Sequence, residues 1–167
     1  GHAQGAAEVT ALAPGGSLAE SPAFAAWRAQ WQARLARQPQ GRDEVTALMQ
    51  RYGIDAAQAR RVETTVLQLF DQVAQAWQLD ADDRRMLSRA ARLHEIGLAI
   101  AHSGYHVHGA YILEHSDIAG FSQQEQRFVA ARVRTHRRGV PKAAFERIPY
   151  RLLGNARRTA ALLRLAV

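Results

Sequence analysis

Between Asp55 and Trp77 the apolar residues Val62, Val66, Leu69, Phe70, Val73 and Trp77 return every three or four positions. That 3.6-residue period places them on one stripe of a long α-helix. A helix with a single apolar stripe needs other helices to cover it, and the rest of the chain supplies them. Asp43 caps a short helix that carries Val45, Leu48 and Met49 and ends at Gly53; Asp55 caps the long one. Asp80 or Asp82 opens the next helix, through Met86, Leu87, Ala90 and Leu93 to His94. Gly97 and Gly104 loosen the chain before a helix through Ala110, Ile112 and Leu113. Ser122 and Glu125 form a capping box ahead of Phe128, Val129 and Val133, and Gly139 and Pro141 stop that helix. Pro149 starts a last helix carrying Leu152, Leu153, Leu162 and Leu163. Upstream, Ser21-Pro22 reads as a helix start before Phe24, Trp27, Trp31 and Leu35. No alternating strand pattern and no internal repeat competes with this reading, which predicts an all-α bundle of about seven helices.

The organisation follows from the same pass. Residues 1–20 read as a tag-cleavage scar (Gly1-His2) and a small-residue leader, 21–43 as a separate helix, and 44–167 as the main domain. An apolar content of 47% predicts a folded protein. The absence of cysteine excludes disulfides and thiolate zinc sites, and fits a reducing cytoplasm. No apolar run is long enough to cross a bilayer, and no secretory pattern opens the chain. The net charge is +7, and Lys142 is the only lysine, so the positive charge is almost all arginine. A guanidinium fork matches a phosphoryl group with two parallel hydrogen bonds. A polyanionic partner is one reading of this charge; an arginine-rich solvated surface is the other.

Five of the seven histidines fall between Ala91 and Ser116: His94, His102, His106, His108 and His115. The doublet His94-Glu95 offers one nitrogen and one oxygen to a cation. A hydrolytic metal site needs a further protein ligand, an open position for water, and groups that fix the imidazole. The plain alternative for His94 is a core histidine bonded to a carbonyl. No GxGxxG and no P-loop is present.

The string LHEIGLAIAHSGYHVHGAYILEHSDIAGFSQQEQ, followed by VRTHRR, resembles the C-terminal helical domain of the bacterial exopolyphosphatase/guanosine pentaphosphate phosphatase family. RYGIDAAQARRVETTVLQLFDQ and the closing LLRLAV fit it too, so the likeness covers about Glu44 to Val167. The resemblance implies a bundle related to the HD phosphohydrolases. Carried over, their first metal-binding histidine falls at Gln58, their His-Asp pair at His94-Glu95, and their last aspartate at Val167. That leaves His94 and Glu95 as the remnant of a degenerate metal site. The resemblance also implies a parent that removes terminal phosphate from inorganic polyphosphate or acts on guanosine pentaphosphate. Its catalysis, with Mg²⁺, lies in N-terminal actin-like domains that this chain lacks. The isolated chain is expected to be inactive and to carry no cofactor of its own.

An accessory role remains: gripping inorganic polyphosphate, docking to the actin-like domains, and supporting a homodimer, with no membrane partner. Nucleic acid ranks last because no helix-turn-helix or other reading motif is present. A flexible polyanion needs a track of cations. The candidates are His102, His106 and His108 on one segment, and Arg134, His136, Arg137 and Arg138 on another. A helix-end preference for cations explains the second group without any ligand. The competing function is an independent metal-dependent HD-type phosphohydrolase.

Overall fold

The computed structural model describes residues 43–167, which form one unit, Asp43–Val167. Six α-helices follow in order: α1 (Glu44–Arg51), α2 (Ala56–Trp77), α3 (Ala81–Leu93), α4 (Tyr105–His115), α5 (Gln123–Thr135) and α6 (Tyr150–Ala166). Two single-turn 3₁₀ segments, Ile96–Ala99 and Lys142–Phe145, precede α4 and α6. Within the described residues the all-α expectation holds, and the six helices expected there are present. The helix expected after Ser21-Pro22 and the leader before it lie outside these residues.

The helix starts are set by the residues that the sequence singles out. The Asp55 carboxylate accepts from the N–H groups of Ala57 (2.8 Å) and Gln58 (3.0 Å). Asp80, not Asp82, caps α3, through a reciprocal box with Asp83. Ser122 and Glu125 exchange bonds of 3.1 and 2.8 Å at the start of α5. Each such cap satisfies N–H groups that the helix itself leaves unpaired, and is worth about 1 kcal/mol.

Helix α3 is central, packing against α1, α2, α5 and α6, while α5 lies against α3, α4 and α6. Leu87, Leu93, Ile96, Leu113, Val129 and Leu163 are fully buried between them, each contributing roughly 1.5–3 kcal/mol of burial. The first 3₁₀ segment presses directly on α4. A Cβ added at Gly97 would sit 1.9 Å from the Tyr105 carbonyl oxygen and 2.5 Å from the Gly109 nitrogen. Only the missing side chain lets these two stretches of backbone meet. No described helix is long and apolar enough to cross a membrane.

One cation is buried in this packing. Arg132 is 1% exposed; its Nε donates to Thr159 Oγ1 (3.0 Å) and its Nη1 to the Phe128 carbonyl (2.8 Å). Burial pushes its pKa down to about 10, with Asp83 opposing, so it stays charged at neutral pH. Replacing Thr159 by valine removes the Nε acceptor at nearly constant volume. An unsatisfied buried donor costs about 1–3 kcal/mol, so T159V is expected to lower the urea midpoint while T159S holds it. Equal midpoints for T159V and wild type would show that this bond carries no stability.

Candidate functional site

Helices α3 and α5 both end in a histidine whose ring folds back on its own last turn. His94 Nδ1 lies 2.6 Å from the Ala91 carbonyl oxygen, and His136 Nδ1 lies 2.6 Å from that of Val133. A carbonyl only accepts, so each ring carries its proton on Nδ1 and turns Nε2 inward as an acceptor. The Tyr105 hydroxyl donates to His136 Nε2 at 3.3 Å. His94 Nε2 has no partner among the described residues. The two rings meet edge to face, 5.4 Å apart at 87°, and Tyr105 lies 5.4 Å from His136.

This packing keeps both imidazoles neutral. Burial pushes His136 down to about 4, against the pull of the Val133 carbonyl and with help from His94, His106 and Arg137. Burial likewise lowers His94, opposed by the Ala91 carbonyl and by Glu95. His136 therefore does not serve as the exposed cation expected from its place in RTHRR. It is 2% exposed and props up Tyr105 from beneath.

The donors do not fit a resident metal ion. Glu95 Oε1 stays 3.9 Å from His94 Nε2. Among the described residues no three histidine, aspartate or glutamate side chains converge on one point. Gln58 has its oxygen engaged by the Arg61 guanidinium, and the Val167 side chain has no ligand atom. Three protein ligands are the usual minimum for a catalytic centre; His94 instead fills the role of a core histidine bonded to a carbonyl.

The remaining candidates gather on the outer side of the same cluster. Gly104, in the left-handed region at φ +68°, starts α4 without any side-chain cap. His106, in the first turn of α4, is 5% exposed, with its ring 6.3 Å from Tyr105 and 6.2 Å from His136. Its pKa is lowered by burial, then by the charges of Arg134, Arg138, Arg137 and His108. Arg137 lies over the Tyr105 ring, its Cζ 5.3 Å from the centroid. Arg134 is half-buried, and Arg137 and Arg138 are exposed. His108 is half-buried beside His106, and exposed His102 stands at the rim, 6.2 Å from Tyr105.

Charge pairing separates this cluster from the arginines of α3. Arg84 pairs with Asp71 (3.1 Å), Arg85 with Asp82 (3.0 Å) and Glu125 (3.3 Å), Arg89 with Glu125 (3.2 Å), and Arg92 with Asp43. Among the described residues no carboxylate comes within ion-pair distance of Arg134, Arg137 or Arg138. Tyr105 is the member that sequence reasoning missed. Its position just after the helix-opening Gly104 was the available signal.

Comparison with known proteins bears on this arrangement. The family model described as Ppx/GppA phosphatase, domain III, matches residues 42–167. The guanosine-5'-triphosphate,3'-diphosphate pyrophosphatase of Pseudoalteromonas translucida (strain TAC 125) is 38% identical over 103 residues, covering 61% of this chain and 21% of that protein. The protein of the same name from Pseudoalteromonas atlantica (strain T6c / ATCC BAA-1087) is 36% identical over 119 residues, covering 71% of this chain and 24% of that protein. The chain thus corresponds to less than a quarter of the length of these two relatives.

Proposed function

The chain belongs to the Ppx/GppA phosphatase family, as its domain III, and from that membership we propose that it is the polyanion-holding accessory domain of a phosphohydrolase. The parent acts on inorganic polyphosphate or on guanosine 5'-triphosphate 3'-diphosphate, the compound named in the relatives. Catalysis, and any Mg²⁺ that it uses, belongs to the actin-like part of the parent; this domain grips the phosphate chain, and its helical surface contributes to a dimer. The supporting observation is the trio Arg134, Arg137 and Arg138, which meet no carboxylate partner among the described residues and lie near the start of α4, where Gly104 offers no side-chain cap. Exposed guanidiniums in that state attract phosphate, whereas the paired ones on α3 are already neutralised. Among the described residues the independent-hydrolase alternative has no third ligand to build on.

The test is binding of long-chain polyphosphate at several salt concentrations. Three phosphate contacts give a log–log salt slope of about −2, by analogy with single-stranded nucleic acids. Affinity should then fall roughly tenfold between 50 and 150 mM salt. The triple variant R134E/R137E/R138E should lose at least about tenfold in affinity and most of the salt slope. Unchanged binding in that variant would remove this cluster from the polyanion path.

A further inference from the structure

We propose that the cavity between α3, α5 and α6 is a binding site for an α-amino acid with an apolar side chain, held by its carboxylate on Arg132 and by its ammonium on Asp83. The site shares no residue with the Arg134, Arg137 and Arg138 trio and does not depend on the polyanion reading.

Helical spacing builds the cavity. Asp83 and Met86 lie three residues apart on α3, Phe128 and Arg132 four apart on α5, and each pair shares a face of its helix. Leu152, in the first turn of α6, adds a third side, and the space between them is about 180 Å³. Roughly six waters would fill it, the room of a small molecule rather than of a polypeptide segment.

Arg132 is the anomaly of this cavity. A fully buried charge is normally paired. Yet among the described residues no carboxylate comes within ion-pair distance of Arg132. Its guanidinium finds two acceptors, Thr159 Oγ1 for Nε and the Phe128 carbonyl for Nη1, and none for Nη2. Nη2 is not sealed off either: His94 Nε2 is the one sealed, unbonded side-chain atom among the described residues. Arg132 is 1% exposed, and the open space that it lines is this cavity. The missing partner is therefore an acceptor with negative charge, and a carboxylate matches the guanidinium fork.

The same lining says what else the ligand carries. The carboxylates of Asp80, Asp82, Asp83 and Glu125 outnumber the guanidiniums of Arg85 and Arg132 around the space. A polyanion is repelled there, and a ligand with a cation of its own is favoured. Asp80 is engaged in the cap of α3, Asp82 with Arg85, and Glu125 with Arg85 and Arg89. Asp83 keeps one oxygen. Its Oδ2 accepts from the Asp80 N–H (3.3 Å) and from Asn155 Nδ2 (2.8 Å), while Oδ1 has no partner among the described residues. Asp83 is also the carboxylate whose field reaches Arg132. An Arg–Asp pair held apart in this way matches the adjacent carboxylate and ammonium of an α-amino acid. Met86, Phe128 and Leu152 offer its side chain an apolar wall.

Calorimetric titration of the full chain with L-leucine tests the site, and saturable one-to-one binding is expected. L-Leucinamide lacks the carboxylate and N-acetyl-L-leucine lacks the ammonium; each should bind at least about tenfold more weakly, the scale of one lost charge-assisted bond. Glycine, which cannot use the apolar wall, should also bind more weakly than L-leucine. Asp83→Asn preserves the shape of the side chain and should lose about tenfold in affinity for L-leucine. On the unmodified protein, the Arg132 Nε–H signal in ¹⁵N-labelled material should shift as L-leucine is added. No saturable binding of L-leucine at millimolar concentration overturns the site, as does equal affinity for any of these analogues. Binding that leaves the Arg132 signal unmoved, or that Asp83→Asn does not weaken, overturns it as well. Each of these results leaves the polyanion reading as it was.

Discussion

Alanine at position 97 is expected to destabilise this domain more than any other single-methyl change. The new Cβ would lie 1.9 Å from the Tyr105 carbonyl oxygen and 2.5 Å from the Gly109 nitrogen, both backbone atoms of α4. Neither can rotate aside as a side chain would. Relief requires the 3₁₀ turn to lift away from α4, which opens the packing around the fully buried Ile96 and Leu113. Overpacking of this kind usually costs about 1–3 kcal/mol, and a backbone clash belongs at or beyond the upper end. A fall of roughly 10 °C in unfolding midpoint is expected for a domain of this size. Gly109→Ala is the control. Its Cβ would meet Val133 Cγ1 at 3.0 Å and Ile96 Cγ2 at 3.2 Å, both ends of side chains that can shift. It should cost less than half as much. A Gly97→Ala protein with wild-type thermal stability would mean that the turn and the helix do not touch.

Acid should weaken the fold in two separate steps. His136 is held near pKa 4 in the folded protein, chiefly by burial, against about 6.5 for an unfolded histidine. Between those values the unfolded chain takes up a proton that the native protein refuses. Stability is therefore level above about pH 6.5, falls as pH drops toward 4, and levels again below. The loss amounts to about 3 kcal/mol from this one ring, with His94 acting in the same direction. The carboxylates act later. Asp71 is held low by its bond from Arg84, and Asp55 by the N–H groups of Gln58 and Ala57. Their stabilisation is complete above the ordinary carboxylate range and is lost only as pH falls below it. Urea midpoints at pH 7.5, 5.5 and 4.5 should show the first step, and His136→Gln should flatten it. Equal stability at pH 7.5 and 4.5 would show that His136 is not buried as a neutral ring.

The difference between what could be read from the sequence and what needed the structure has a physical basis. Helix α2 was legible because one of its faces is wet, so its apolar period stands out. Its cap at Asp55 and the capping box at Ser122 and Glu125 were legible because caps are local chemistry. Helix α5 is different. Gln126, Val129, Ala130, Ala131, Arg132, Val133 and Thr135 are all buried, so no single stripe marks its inner side. Its cations could not be sorted by periodicity. Arg132 turns out to be an internal cation held by Thr159, and His136 a neutral prop, while Arg134, Arg137 and Arg138 keep their place near solvent. The doublet His94-Glu95 was visible as adjacent letters, but adjacency in a helix does not aim two groups at one point. Only the turn geometry reveals the 3.9 Å gap and that no third donor joins the pair among the described residues.

Arg138 adopts φ +57°, the left-handed region, where a side chain with a Cβ gives up roughly 1–2 kcal/mol and glycine gives up almost nothing. Foldability and charge therefore ask for different residues at this one corner. Any programme that ranks substitutions by thermal robustness alone will favour glycine here, and will harden the scaffold while stripping a guanidinium from its outer edge.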